Sequence, residues 1–312
     1  ISLNAAGTAT VTPNAVNAGS NDACGIASIS LDKTSFTCSD FGDNSVVLTV
    51  TDIHGNSSTC NGIVRVEDQI NPIAICQSYT AVLNASGSAA ITANDVASIS
   101  DNCSVPLAIV NPNTFSCSDI GNRSITVIIF DQANNVGFCF GTVTVVDNTP
   151  PTLVCPTSNF VVNTDAGQCG ALVNYSVSAT DNCTVASNVR TGLASGSLFP
   201  VGTSNISYLA TDNVGNTSTC SFNVIVTDAE LPLAICKDIT LQLNSSGNNS
   251  ITAAAVDNGS NDACGITLSI DESDFDCSEV GVNTVTLTVT DANGNINTCS
   301  SNVTVQDNIA PT

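Results

Sequence analysis

Cysteines recur in this chain with a period of about 80 residues, and that spacing restricts the fold more than any other feature. Cys24, Cys103, Cys183 and Cys264 stand 79, 80 and 81 residues apart, in NDACG, SDNCS, TDNCT and NDACG. Cys60, Cys139, Cys220 and Cys299 follow the turns DIHGN, DQANN, DNVGN and DANGN, at spacings of 79, 81 and 79. Cys76, Cys155 and Cys236 each follow a proline by a few residues, 79 and 81 apart. Self-similarity at a fixed period marks a tandem array. The spacing predicts four modules, at residues 1–68, 69–147, 148–228 and 229–312. Their joints read VRVEDQINP, VTVVDNTPP and VIVTDAELP, and VTVQDNIAPT begins another. Ile1-Ser2-Leu3-Asn4 aligns with Ala81-Val82-Leu83-Asn84 and Leu241-Gln242-Leu243-Asn244. The first module is therefore expected to lack its opening strand, and the 15 cysteines divide as three, four, four and four. No signal peptide is visible from Ile1 onward, which fits a processed or excerpted chain, and the expectation is a window on a longer array. A second reading has another chain donate the missing strand.

Each period reads as all-β. Ser45–Thr51, Ser124–Phe130, Ile206–Thr211 and Thr284–Thr290 alternate β-branched or aromatic residues with small polar ones. Each runs into a D-x-x-(G/N)-N turn and then a strand ending in V-x-V, which is a hairpin with Gly or Asn where positive φ is needed. No sustained helical stripe is visible. Seven short strands in 80 residues favour an immunoglobulin-like β-sandwich. A core that small is marginal alone, and two disulfides per module would offset that.

Composition narrows the function. Five Lys+Arg face 27 Asp+Glu, for a formal charge of −22. Nucleic acid is excluded as a natural partner, because phosphate contacts need Lys and Arg. An anionic membrane surface is disfavoured for the same reason, and no apolar run is long enough to span a bilayer. The cysteines imply an oxidising, extracellular setting, at a cell surface or after secretion. Lys33, Arg65, Arg123, Arg190 and Lys237 form no patch. The one histidine, His54, sits at a variable turn position, so it reads as a surface side chain. Sequons at Asn56, Asn84, Asn174, Asn205, Asn216, Asn244 and Asn302 are expected by chance in so Asn-, Ser- and Thr-rich a chain.

The third period carries DNTPPTLVCP at 147–156, TDNC at 180–183, GSLFPVGT at 196–203 and YLATDNVGNTSTCSF at 208–222. These motifs, in this order over about 80 residues, resemble the hyalin repeat (HYR) family, an immunoglobulin-like extracellular module. The other three periods resemble a diverged variant, with SFTCS, TFSCS and DFDCS in place of the FPVGT stretch. Similar repeats occur in large surface adhesins of Bacteroidetes-type bacteria. The resemblance implies adhesion or scaffolding, with no catalysis.

The cysteine after the proline and the one after the hairpin turn occur together in periods two to four. In a sandwich the first and last strands run side by side, which supports Cys76–Cys139, Cys155–Cys220 and Cys236–Cys299. Elimination then leaves Cys24–Cys38, Cys103–Cys117, Cys169–Cys183 and Cys264–Cys277, all 13 or 14 residues apart. For Cys169–Cys183 there is a conflict. If Leu172–Val177 is one extended strand, its flanks lie roughly 20 Å apart, and a disulfide needs Cα atoms within about 7 Å. Either the chain doubles back or that module pairs differently. Cys60 is expected to have its partner outside these 312 residues.

The aspartates recur too. In an immunoglobulin-like topology the joint Asp, the Asp before the second cysteine and the turn Asp could converge at one pole. The trios are Asp68/Asp101/Asp131, Asp147/Asp181/Asp212 and Asp228/Asp262/Asp291, with Glu67 and Glu230 as extra oxygens. Carboxylates without basic partners repel, and Ca²⁺ relieves that with oxygen ligands. The competing reading is that each turn Asp bonds only its own backbone. The expected product is a non-enzymatic, disulfide-stapled stalk or fibre, whose partners are neighbouring modules, identical chains, or surface glycans and proteins. A filament subunit completed by strand exchange is the alternative. Carboxylate-only hydrolysis is conceivable, but aspartates repeated in every module suit architecture better than one active site.

Overall fold

The computed structural model describes residues 1–105 and 107–310, so Pro311 and Thr312 of the last joint motif lie outside the described residues. The chain is all-β, a tandem array of immunoglobulin-like β-sandwiches of about 80 residues. It divides into two compact units, Ile1–Thr149 and Pro150–Thr312, each holding two sandwiches.

In the first unit, the second sandwich shows the plan in full. One sheet holds Leu107–Asn111, Gly121–Phe130, Val136–Val146 and Tyr79–Val82 in that order. Tyr79–Val82 lies parallel to the last strand, with Val143 opposite Tyr79. The facing layer pairs Ile73–Cys76 with Ala97–Ser100 and Ser88–Ala90 with Thr114–Ser116. The opening strand thus changes sheets between Cys76 and Tyr79, which gives eight strands where the sequence suggested seven. In the first sandwich, Ile26–Leu31, Gly42–Asp52 and Ser57–Val66 form one sheet, and Thr8–Thr10 pairs with Ser35–Thr37. The segment before Thr8 forms an isolated parallel bridge, Ser2 to Glu67, and buries Leu3 in the core.

The second unit repeats this. Its sandwiches have the sheets Phe160–Asn163, Thr217–Thr227, Gly202–Asp212, Val185–Thr191 and Ile239–Gln242, Ile296–Gln306, Gly281–Asp291, Ile266–Ile270. Gly170–Val173 pairs with Ser197–Pro200, and Asn248–Ser250 with Asp274–Asp276.

The alternating pattern explains the cores. Val46 and Leu48, then Ile125, Val127 and Ile129, then Val285, Leu287 and Val289 point inward, each at 2% exposure or less. An aromatic from the facing layer plugs each core: Phe36, Phe115, Phe199 and Phe275 are all buried, and the third core adds Phe222. Burying a side chain of this size stabilises by about 1.5–3 kcal/mol. Three one-turn helices, Pro13–Val16, Ala93–Val96 and Ala253–Val256, have no counterpart in the sequence reading. At four residues each they are too short to leave a helical stripe. Among the described residues no helix is long and apolar enough to cross a membrane.

Candidate functional site

The hairpin turns position the first carboxylate of each candidate site. In the third sandwich Asp212 Oδ1 accepts the backbone N–H groups of Val214, Gly215 and Asn216, at 2.9, 2.7 and 2.8 Å. Its Oδ2 accepts the Asn216 amide at 2.7 Å. Burial works against the charge on Asp212, but the donors of Asn216, Val214 and Gly215 outweigh it and hold the carboxyl below its ordinary range. Asp291 has the same balance with Asn295, Asn293 and Gly294. Asp52 is lowered by the side chain and backbone of Asn56. So each turn Asp does bond its own turn.

Two of these turns also clamp a joint. Asn135 closes its turn on Asp131 and donates its amide to the carbonyls of Asp68, at 3.0 Å, and Ile70, at 3.3 Å. Asn295 reaches the carbonyl of Asp228 at 3.2 Å in the same way. Gly137 lies under this segment: a Cβ there would stand 1.9 Å from the Pro72 carbonyl oxygen. The glycine is required for that close approach.

In the first unit Asp68, Asp101 and Asp131 come together, with one carboxylate oxygen of each within 4.8 Å of the others. Asp68 and Asp131 are buried. Asp68 Oδ1 accepts from Ile70 N and the Asn102 amide, both at 3.1 Å. Asp101 Oδ2 accepts the N–H groups of Cys103 and Ser104 at 3.0 and 3.2 Å. Asp101 Oδ1 is buried with no hydrogen-bond donor. Among the described residues the unit's Lys and Arg side chains are directed elsewhere: Lys33 pairs with Asp40, Arg65 with Glu67 and Arg123 with Asp119. Glu67 is thus directed to Arg65 and Gln69.

In the second unit the grouping differs from the sequence expectation. Asp228 and Asp262 group with the sulfur of Cys264, while Asp291 is outside. That sulfur is in a disulfide, so it is no thiolate ligand. Asp228 Oδ2 is buried without a donor, whereas its Oδ1 accepts from Thr164 and Glu230 N at 3.2 Å each. Glu230 accepts the Gly167 N–H. Of the remaining trio, Asp147 belongs to the first unit, buried and accepting Thr149 N at 3.0 Å. Asp181 and Asp212 belong to the second, where Asp181 Oδ2 takes the N–H groups of Cys183 and Thr184.

Covalent links join the sandwiches. Cys76–Cys139, Cys155–Cys220 and Cys236–Cys299 each staple one sandwich internally. The local pairs Cys24–Cys38, Cys103–Cys117, Cys169–Cys183 and Cys264–Cys277 are corrected. Cys38 bonds Cys103 and Cys169 bonds Cys264, across 65 and 95 residues and from one sandwich to the next. Cys117 and Cys183 are disulfide-bonded, whereas Cys24 and Cys277, expected in bridges, are free and exposed, as is Cys60. The geometry gives the reason. Cys38 opens a 3-10 turn at the end of a strand pair, where it faces the neighbouring sandwich; its Sγ lies 3.5 Å from the Asn102 carbonyl. In the third sandwich the same ladder places Gly170 opposite Pro200, so Cys169 stands across from Val201. The cysteine has changed strands without leaving that end.

A family model for the HYR domain matches residues 146–226. Residues 146–226 are an HYR domain, and the chain around them is similar to HYR-repeat proteins. It is 28% identical to Hyalin of Strongylocentrotus purpuratus over 288 residues, which is 87% of the chain and 24% of that protein. It is 30% identical to Hyalin of Lytechinus variegatus, over 66% of the chain and 41% of that protein. A Serine-rich adhesin for platelets of Staphylococcus aureus is 29% identical over 59% of the chain and 8% of its own length. The chain therefore spans less than half the length of each of these relatives. A protocadherin GammaB4 extracellular domain aligns over 90% of this chain and 61% of that one, at 14% identity and a TM-score of 0.30, too low to equate the two folds. Disulfides at this density persist in oxidising compartments, and the chain is extracellular, at a cell surface or secreted.

Proposed function

We propose that the chain is a non-enzymatic structural and adhesive repeat protein, a stalk or fibre of four modules (1–68, 69–147, 148–228, 229–312) whose joints are stiffened by Ca²⁺. The supporting observation is the joint that holds Asp68, Asp101 and Asp131. Three carboxylates converge there without a base, and Asp101 Oδ1 is buried with no donor. Buried polar atoms need a partner, and a hard cation with oxygen ligands supplies one while cancelling the repulsion. Asp228 Oδ2 has the same need at the other joint, where Asp262 is its companion. The partners would be neighbouring modules, identical chains, and surface glycans or proteins. Calcium should raise the melting temperature of the chain, and Asp101→Asn should abolish the part of that rise that belongs to the first unit. Equal melting and equal solution dimensions in Ca²⁺ and in EGTA would sink the cation while leaving the repeat architecture.

A further inference from the structure

The second sandwich turns an apolar sheet face to solvent. Leu107, Ile109, Val136, Phe138 and Phe140 point outward from three neighbouring strands and are exposed. Phe138 and Phe140 are 62% and 73% exposed, and their rings meet edge to face with centroids 5.7 Å apart. The ladder sets Ile128 between Ile109 and Phe138, and Phe130 between Leu107 and Val136. The apolar side chains thus form one continuous strip across three strands.

The same ladder positions are polar in the other sandwiches. In place of Phe138 and Phe140 the first has Thr59 and Asn61, the third Thr219 and Ser221, and the fourth Thr298 and Ser300. All six are exposed. Small polar side chains are therefore enough for this sheet to fold, since the core lies on its other face. The third sandwich keeps one apolar pair there, Val189 beside Leu209. The second sandwich has a sandwich before it and one after it in this chain, and its strip is exposed all the same.

A contiguous exposed apolar patch marks an interaction site, and apolar sheet faces pack against one another by interdigitating side chains. The outward positions of these three strands carry no charged side chain. In a chain of charge −22, two copies can meet there without setting carboxylate against carboxylate. The strip offers on the order of 500 Å² of apolar surface. Two copies would then bury about 1,000 Å² between them, the low end of a specific interface.

We propose that this strip is a self-association surface, on which the second sandwich of one chain packs face to face on the second sandwich of another copy about a two-fold axis. The proposal rests on the adhesive-repeat reading, for which it names the identical chain as partner, and it involves neither the cation nor the free thiols.

The test is sedimentation velocity of the purified chain, with Cys24, Cys60 and Cys277 alkylated, from micromolar to near-millimolar concentration. The expected result is a reversible monomer–dimer equilibrium in the micromolar range. Added salt should tighten it by screening like charge. Phe138→Thr with Phe140→Ser, which installs the residue types of the third and fourth sandwiches, should weaken the dimer at least about tenfold and leave the melting temperature unchanged. Leu209→Thr should leave the dimer intact. A monomer at every concentration would overturn the proposal and leave the strip to an unlike chain. A dimer indifferent to the two Phe substitutions, or one dissolved by salt, would overturn it too. An intact Cys76–Cys139 peptide from the same sample separates that failure from a failure of the repeat reading.

Discussion

The joints at Asp68 and Asp228, one in each unit, solve one problem with different residues. Around Asp68, the D-N-C sequence supplies Asn102, whose amide donates to the Asp68 carboxylate, and Asp131 completes a trio. Around Asp228, the corresponding D-A-C sequence has Ala263. Thr164 donates to Asp228 instead, and Asp291 remains outside the cluster. The bridging cysteine also differs, lying on the 3-10 side at Cys38 and on the facing strand at Cys169. The turn clamp (Asn135 or Asn295) and the bridge to a D-x-C cysteine are common to both. What both joints keep is thus the covalent tie and the amide that holds the joint backbone. The ionic part varies.

The largest effect should come from the tie itself. A bridge closing 65 residues restricts the unfolded chain by about 4 kcal/mol, and one closing 95 by only a few tenths more, because the cost grows with the logarithm of loop length. Replacing Cys38 and Cys103 together by Ser should lower the stability of the first unit by that amount in denaturant unfolding. Replacing Cys169 and Cys264 should do nearly the same to the second. A much smaller loss in the first unit would mean that its carboxylate cluster and Asn102 hold the joint without the bridge.

Next come the turn carboxylates. Asp291→Asn removes a charged acceptor from the Asn293 and Asn295 N–H groups and sets two amides against each other at Asn295. A loss of about 1–2 kcal/mol is expected at neutral pH. Asp131→Asn should cost less, because it also removes one of three crowded charges. The pH dependence of the first loss follows from the depressed value of Asp291. The folded state binds the proton more weakly than the unfolded chain does. The stabilisation is therefore complete above the ordinary carboxylate range and disappears as pH falls through the depressed folded value. The gap between wild type and Asp291→Asn should close in acid melts. A gap that persisted there would assign the loss to packing.

Much of this was legible in the sequence, and the rest was hidden for physical reasons. The hairpin strands were readable because Val46, Leu48, Val285 and Leu287 alternate strictly, and the turns because Gly or Asn recurs at one position. The three bonds within sandwiches followed from cysteines that appear and vanish together. The bonds between sandwiches did not, because elimination confined to one period assumes that a module closes on itself. The conflict at Cys169 and Cys183 was the clue: a strand between two cysteines forbids their union, so each must look elsewhere. Which aspartates converge was readable for Asp68, Asp101 and Asp131. It was not readable that Asp228 and Asp262 would group without Asp291, since equal spacing along the chain does not fix how closely three side chains approach.

A smaller difference tests whether Asn102 matters to the first joint. Asn102→Ala makes that joint resemble the second and should cost about 1 kcal/mol, the worth of a hydrogen bond to a charged acceptor less the relief of its own unpartnered Oδ1. Ala263→Asn should return a similar amount to the second unit by offering a donor to Asp228 Oδ2. If both substitutions are silent in thermal melts, the two joints are electrostatically equivalent.

The smallest effect concerns the turns beneath the clamps. Asn134 takes the left-handed position, φ 67°, that Gly294 takes at φ 94°. Asn tolerates that region better than other side chains, at a cost of roughly 1 kcal/mol. Glycine avoids that cost but gives the unfolded chain more freedom to lose. The two terms nearly cancel, so Asn134→Gly and Gly294→Asn should each shift stability by less than about 0.5 kcal/mol in opposite directions. Asn134→Val, which has neither glycine's freedom nor Asn's local bonding, should cost clearly more. If it also weakens the first unit's cation response, the turn sets the position of Asp131 and the amide of Asn135 together; if it lowers stability alone, the clamp tolerates a strained turn.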